Sequence, residues 1–163
     1  MIFFHNPNEE NGYLSNWFMS EFDCNGVSFA CAEQYMMWSK AVLFNDTDIA
    51  KQILSTSDCG EIKQLGRQVS GFDEKTWATE RCRLVTQGLI EKFRQNSDLR
   101  EKLLATGDEV LAECAVHDRI WGIGLSMTDD NRFDCNRWRG QNLLGYCLMQ
   151  TRDYLRTEKW DFD

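Results

Sequence analysis

The sequence predicts a mainly α-helical α+β fold in one compact domain spanning residues 1–163. Three observations lead there. Several stretches from residue 32 onward repeat apolar residues at helical spacing, most of them behind a cap-forming residue. Only brief β-prone runs interrupt them, without the regular strand–helix alternation of a parallel sheet. A single Pro, Pro7, in 163 residues leaves little room for long irregular linkers.

In chain order, Ile2–Phe4 reads as a short strand, Asn6–Gly12 as a polar turn region, and Tyr13–Phe18 as an irregular aromatic segment. Asn25-Gly26 is a hairpin signal leading into a strand through Phe29, because both residue types tolerate the positive φ of a tight hairpin turn. A helix is expected from about Ala32 to Phe44, and a second, capped by Asp46 or Thr47, through Leu54. Asp58 with Glu61 resembles a capping arrangement for a helix to about Gln68. Asp73–Phe93 carries a long helical pattern with Trp77, Leu84, Ile90 and Phe93 expected on its buried side. Ser97 caps a short helix that stops at Thr106-Gly107. Glu109–Ala115 is extended, Gly122 and Gly124 break regular structure, and Ser126–Gly140 is a polar loop. Gln141–Arg156 forms the last helix, with Leu144, Leu148 and Leu155 along one side.

Composition narrows the function. Hydrophobic residues make up 42%, enough for a core, and six Trp, ten Phe and four Tyr exceed what a minimal core needs. Some of these aromatics are expected to line a pocket. The formal net charge is −8, which repels nucleic acid at long range and argues against a general DNA or RNA binder. A few cations in a cleft can still hold a phosphate. Seven Cys without CxxC spacing and only two His argue against a structural zinc site, so no metal is expected. The odd cysteine count, with no signal peptide read at the start, points to reduced thiols and a cytoplasmic location. No run approaches the roughly 18 apolar residues of a membrane helix.

Two places stand out for chemistry. Glu33 and Lys40 lie seven residues apart on one helix, about two turns, so both point the same way. Met36 and Met37 between them suggest burial, which for charges implies a partner or a task; a solvated face, or Lys40 as a C-terminal helix charge, is the plainer alternative. Asp118 sits between an extended segment and the glycine-broken Trp121-Gly122-Ile123-Gly124. It can face a cleft, or simply bond its own backbone in a turn. Glu113 either supports the same site or caps a loop. Trp77 and Trp121 are candidate stacking surfaces for a flat heterocycle, core packing being the alternative for each. Arg67 and Lys92 are phosphate candidates, with surface placement the simpler expectation. His117 neighbours Asp118, but adjacent extended residues point to opposite sides, so no His117–Asp118 dyad is expected. Neither a P-loop nor GxGxxG occurs, and no cofactor is expected.

The motifs YLSNW, AEQYMMWSKA, Trp77, EKFRQNSDLREKLLATGDEVLAE, DRIWGIG and WRGQNLLGYCLMQTRDYL follow one another in order. Together they resemble the NADAR superfamily, the YbiA-like N-glycosidases, over nearly the whole chain from Phe3 to Leu155. The resemblance implies a compact, mainly helical α+β fold and cleavage of N-glycosidic bonds. One branch hydrolyses ribosylaminopyrimidine phosphates of riboflavin biosynthesis to ribose 5-phosphate and free pyrimidine. Another removes ADP-ribose from guanine bases, which admits an ADP-ribosylated nucleic acid as partner. The resemblance implies catalytic positions at Glu33, Trp77 and Asp118, and substrate-binding positions at Asn16, Lys40, Trp121 and Asn142. Shorter relatives have only a few residues where this chain has Ser126–Gly140, so substrate choice stays open between a small phosphorylated ribosyl compound and an ADP-ribosyl compound. A non-catalytic ADP-ribose or nucleotide-binding module is the alternative outside enzymes.

Overall fold

A computed structural model describes residues Met1–Glu158. Its regular elements are β1 (Ile2–Phe4), β2 (Met19–Cys24), β3 (Val27–Cys31), α1 (Ala32–Leu43), α2 (Thr47–Leu54), α3 (Cys59–Arg67), α4 (Glu74–Gln95), α5 (Ser97–Ala105), β4 (Leu111–Glu113) and α6 (Leu143–Thr157). The fold is mainly helical with a few short strands, as the sequence predicts. The chain divides into two compact units, Asn16–Gln95 and the remainder of the described residues; each is taken by itself.

In the unit Asn16–Gln95, β2 and β3 form an antiparallel hairpin. Its turn is Asn25-Gly26, with φ of 52° and 80°, the doubly positive pair that matches the natural twist of the strands. Phe22, Cys24 and Phe29 from the hairpin pack with Tyr35 of α1, and Phe29 meets Tyr35 edge-on at 5.2 Å between centroids. Helix α1 contacts α2, α3 and α4, so most of its circumference is covered. Two glycines allow the close approach. A Cβ on Gly66 of α3 would lie 2.0 Å from the Met37 sulfur, and one on Gly88 of α4 would lie 2.2 Å from the Tyr35 ring. Asp46 and Asp58 cap α2 and α3 through the amides of Ile49 and Glu61 at 3.1 and 2.8 Å.

Sequence reasoning needs correction on α4. The buried residues are Trp77, Arg81, Val85, Gly88, Leu89, Lys92 and Phe93, whereas Leu84 and Ile90 stay half-exposed. A stripe sought among apolar residues alone falls beside the real one, because two cations occupy the inward face.

In the other unit, β1 pairs in parallel with β4, and α6 packs on β4 and α5. Ala112, Cys114, Ile123 and Leu125 form its core cluster, with Phe3, Met127 and Trp138 against it. Ser97 is the first residue of α5 and not its cap; Asn96 holds the cap position. The polar segment Ser126–Gly140 is more ordered than a plain loop. It contains two short 3₁₀ turns, capped by Asp129 and Asp134, and Phe133 meets Phe3 of β1 edge-on at 5.2 Å. Among the described residues no helix is long and apolar enough to cross a membrane.

Candidate active site

Within Asn16–Gln95 the fold gathers charge around α1. Glu33 stands in the first turn, where the helix N-terminus favours an anion, and is only 5% exposed. Its backbone N–H donates to the Asn16 carbonyl at 2.9 Å. Asn16 is itself buried, and its side-chain oxygen has no hydrogen-bond partner among the described residues. A buried acceptor left this way costs about 1–3 kcal/mol, so the position suits an incoming hydroxyl or N–H donor.

Lys40, two turns along, is half-buried. Its Nζ donates to the Gly66 carbonyl at 2.7 Å and lies 4.6 Å from the centre of the Phe72 ring. Burial holds this ammonium below the ordinary lysine range, the Glu74 carboxylate opposes that, Arg67 adds to it, and Glu33 opposes it. Glu33 and Lys40 therefore share one electrostatic environment, as their helical spacing suggests. Trp77 is buried on the inward face of α4; Arg67 is exposed.

The sequence reading missed Arg81 and misplaced Lys92. Arg81, one turn after Trp77, is buried, approaches Glu74 at 3.7 Å, and keeps an Nε without a hydrogen-bond partner among the described residues. Lys92, expected at the surface, is 0% exposed. Desolvation pulls its ammonium down to about 7, opposed by the nearby Cys31 sulfur, and its Nζ lies 5.7 Å from the Phe18 ring centre. The available signal was spacing: 77, 81, 85, 88 and 92 make one continuous helical stripe once charged residues are admitted.

Asp118 belongs to the other unit and is held differently. Its Oδ1 accepts from the amides of Ile120 and Trp121 at 3.0 and 2.8 Å, the turn arrangement that the sequence left open. The same loop is fastened from behind by the start of α6. The amides of Gln141, Asn142, Leu143 and Leu144 donate to the carbonyls of Arg119, Gly122, Ile120 and Trp121. Both the first-turn donors of α6 and the loop's carbonyls are thereby satisfied. Oδ2 takes no part in these turn bonds. Asp118 and Trp121 are half-buried, and His117 is exposed.

Asn142 is 0% exposed and adopts φ 53°, the left-handed region that Asn tolerates better than most residues. Its Oδ1 accepts from the Glu113 amide at 3.0 Å and its Nδ2 donates to the Leu111 carbonyl at 2.9 Å. The side chain thus clamps β4 to the head of α6, steadying the segment from Glu113 to Trp121. Among the described residues no group of three His, Cys, Asp or Glu is placed to hold a metal ion.

The chain matches the NADAR domain family over residues 2–156. It is 41% identical over 160 residues to an N-glycosidase of Acanthamoeba polyphaga mimivirus, covering 93% of this chain and 94% of that one. A riboflavin biosynthesis protein of Vibrio vulnificus is 29% identical over 95% of this chain and 38% of its own length. The solved NMR structure of the Escherichia coli protein YbiA superimposes with a TM-score of 0.80 at 28% identity, over 99% of this chain and 88% of that one.

Proposed function

Because the chain belongs to the NADAR domain family, we propose that it is a hydrolase of N-glycosyl bonds whose substrate is a phosphorylated ribosylaminopyrimidine. The observation that carries the reading is the burial of Glu33, whose backbone N–H donates to the Asn16 carbonyl, together with the orphaned side-chain oxygen of Asn16, in a family whose relatives include named N-glycosidases. The reaction replaces a C1′–N bond with a C1′–O bond to water, through a transition state with oxocarbenium character. The sugar carbon becomes positive as the leaving base takes the bonding electrons. Each unit offers one carboxylate for stabilising that cation or activating the water: Glu33 in Asn16–Gln95 and Asp118, through Oδ2, in the other. Asn16 accepts from a ribose hydroxyl. Each unit also offers one indole for the base, Trp77 in the first and Trp121 in the second; Lys40 and the newly found Arg81 suit the phosphate, and Asn142 keeps the Asp118 segment in position. The substrate class is supported by the Vibrio relative's name.

A second reading, removal of ADP-ribose from guanine bases, draws support from the ordered segment Ser126–Gly140. Phe133 is 58% exposed there with the Arg132 guanidinium 4.2 Å from its ring centre, a surface suited to a further base. Offering ribosylaminopyrimidine phosphate and ADP-ribosylated guanosine side by side tests both. Release of ribose 5-phosphate supports the first, and release of ADP-ribose alone replaces it with the second. Tight binding of ADP-ribose with no turnover of either would reduce the protein to a binding module.

A further inference from the structure

Cys31 and Cys59 stand outside the proposed chemistry. They are 28 positions apart in sequence, yet their sulfurs lie 3.5 Å apart. Both occupy helix starts: Cys31 is the cap residue of α1 and Cys59 the first residue of α3. Their accessibilities differ. Cys31 is fully buried, whereas Cys59 is half-buried, and its sulfur lies 3.8 Å from the Trp17 carbonyl.

We propose that Cys31 and Cys59 are a redox-active dithiol that a hydroperoxide closes into a disulfide. In the first step Cys59, the more accessible of the two, passes its proton to the Cys31 sulfur and attacks the peroxide O–O bond as a thiolate, giving a sulfenic acid and one water. In the second, the Cys31 sulfur displaces the second water as the S–S bond forms. Overall two thiols and one hydrogen peroxide give one disulfide and two waters, and the two electrons lost by sulfur reduce the O–O bond. Cys31 is suited to the second step. The Cys59 thiol beside it and the backbone amides of Gln34 and Glu33 favour its thiolate, bringing it down to about 7 against the opposing effect of burial. Its partner moves the other way, the Cys59 thiol being pushed far up by Cys31 and by burial. Of the two sulfurs, Cys59 therefore holds its proton the more firmly.

Closure has a consequence for α1. An S–S bond is about 2.05 Å long, so the sulfurs must approach by roughly 1.5 Å. Cys31 lies two residues before Glu33, so oxidation acts on the helix end that bears this carboxylate. That consequence rests on the proposed N-glycosidase function; the dithiol itself does not.

The test treats the purified full chain with one equivalent of hydrogen peroxide at pH 7, denatures it, and alkylates it with N-ethylmaleimide. Reduced protein takes up seven labels, one for each free cysteine. Oxidised protein is expected to take up two fewer, to lose the mass of two hydrogens, and to yield a Cys31–Cys59 linked peptide that dithiothreitol releases. In Cys59→Ser, which lacks the attacking sulfur, the two-label loss and the linked peptide should both be absent. Oxidation confined to exposed Cys135 or half-buried Cys82, with both Cys31 and Cys59 still labelled, would overturn the site. Cys59→Ser is the chosen variant because Cys59 packs less tightly than Cys31, and matching circular dichroism spectra check that it folds. In cross-linked parent protein, release of ribose 5-phosphate from ribosylaminopyrimidine phosphate should fall and return with dithiothreitol. Unchanged release from fully cross-linked protein would overturn the link to Glu33.

Discussion

Glu33 and Asp118 are both carboxylates implied to be catalytic, yet the protein holds them in opposite ways. Glu33 is sunk in the first turn of a helix that packs on three others, within the field of Lys40. Asp118 rides on a loop, half-buried, with one oxygen committed to two backbone amides. A helix fixes a carboxylate by packing, and a loop fixes one by hydrogen bonds. The stability consequences of changing each should therefore differ even where the kinetic consequences agree.

The largest expected effect separates these two modes. Glu33→Gln should lower turnover by about 10²- to 10⁴-fold, the range for a positioned acid–base group, and should also shift the melting temperature, since it removes a buried charge from the Lys40 environment. Asp118→Asn keeps an oxygen for the Ile120 and Trp121 amides, so its melting temperature should stay near that of the parent. Identical melting shifts in the two variants would erase the distinction.

Asn142→Ala comes next. It orphans the Glu113 amide and the Leu111 carbonyl, and it forces Ala into a left-handed conformation. Leaving buried groups unsatisfied costs about 1–3 kcal/mol each, so denaturant unfolding should show a loss of about 2–6 kcal/mol. A variant with parental stability and only a raised KM would instead make Asn142 a direct substrate contact.

The Asn16–Gln95 unit should also carry a pH signature. Lys92 and Cys31 both titrate near 7 in the folded chain, below their ordinary values of 10.5 and 9.0. Between about pH 7 and 9 the native state thus holds fewer protons than the unfolded state, and stability rises with pH. It falls as pH drops through 7. Above 9 the trend weakens, because Cys59 keeps its proton in the fold. Melting temperatures read across pH 6.5–9 check the sign; a fall over that range would contradict it.

The smallest effect belongs to Lys40→Met. Loss of the bond to the Gly66 carbonyl should cost about 1 kcal/mol, with KM raised for a phosphorylated substrate and little changed for its dephosphorylated form. Equal KM changes for the two would remove Lys40 from the phosphate.

The fold was legible where local rules suffice. The Asn25-Gly26 turn, the Asp46 and Asp58 caps, and the Leu144, Leu148 and Leu155 face of α6 all follow from turn chemistry, capping and periodicity. Legibility ended where long-range contacts decide. The pairing of β1 with β4 joins residues more than a hundred positions apart. The burial of Arg81 and Lys92 runs against the usual behaviour of charged residues, and the meeting of Cys31 with Cys59 depends on how α3 docks on α1. For the candidate site, spacing alone grouped Glu33 with Lys40. It could not tell whether Asp118 was a turn residue or a site residue; the structure shows the turn, made through Oδ1 alone.

The most direct test is the rate at which parent and Asp118→Asn proteins release ribose 5-phosphate from a ribosylaminopyrimidine phosphate, with circular dichroism confirming equal folding. The expected result is turnover by the parent and a loss of about 10²-fold or more in the variant. Near-equal rates in the two proteins would contradict the role of Asp118, and no release by the parent from any N-glycoside would contradict the proposed function.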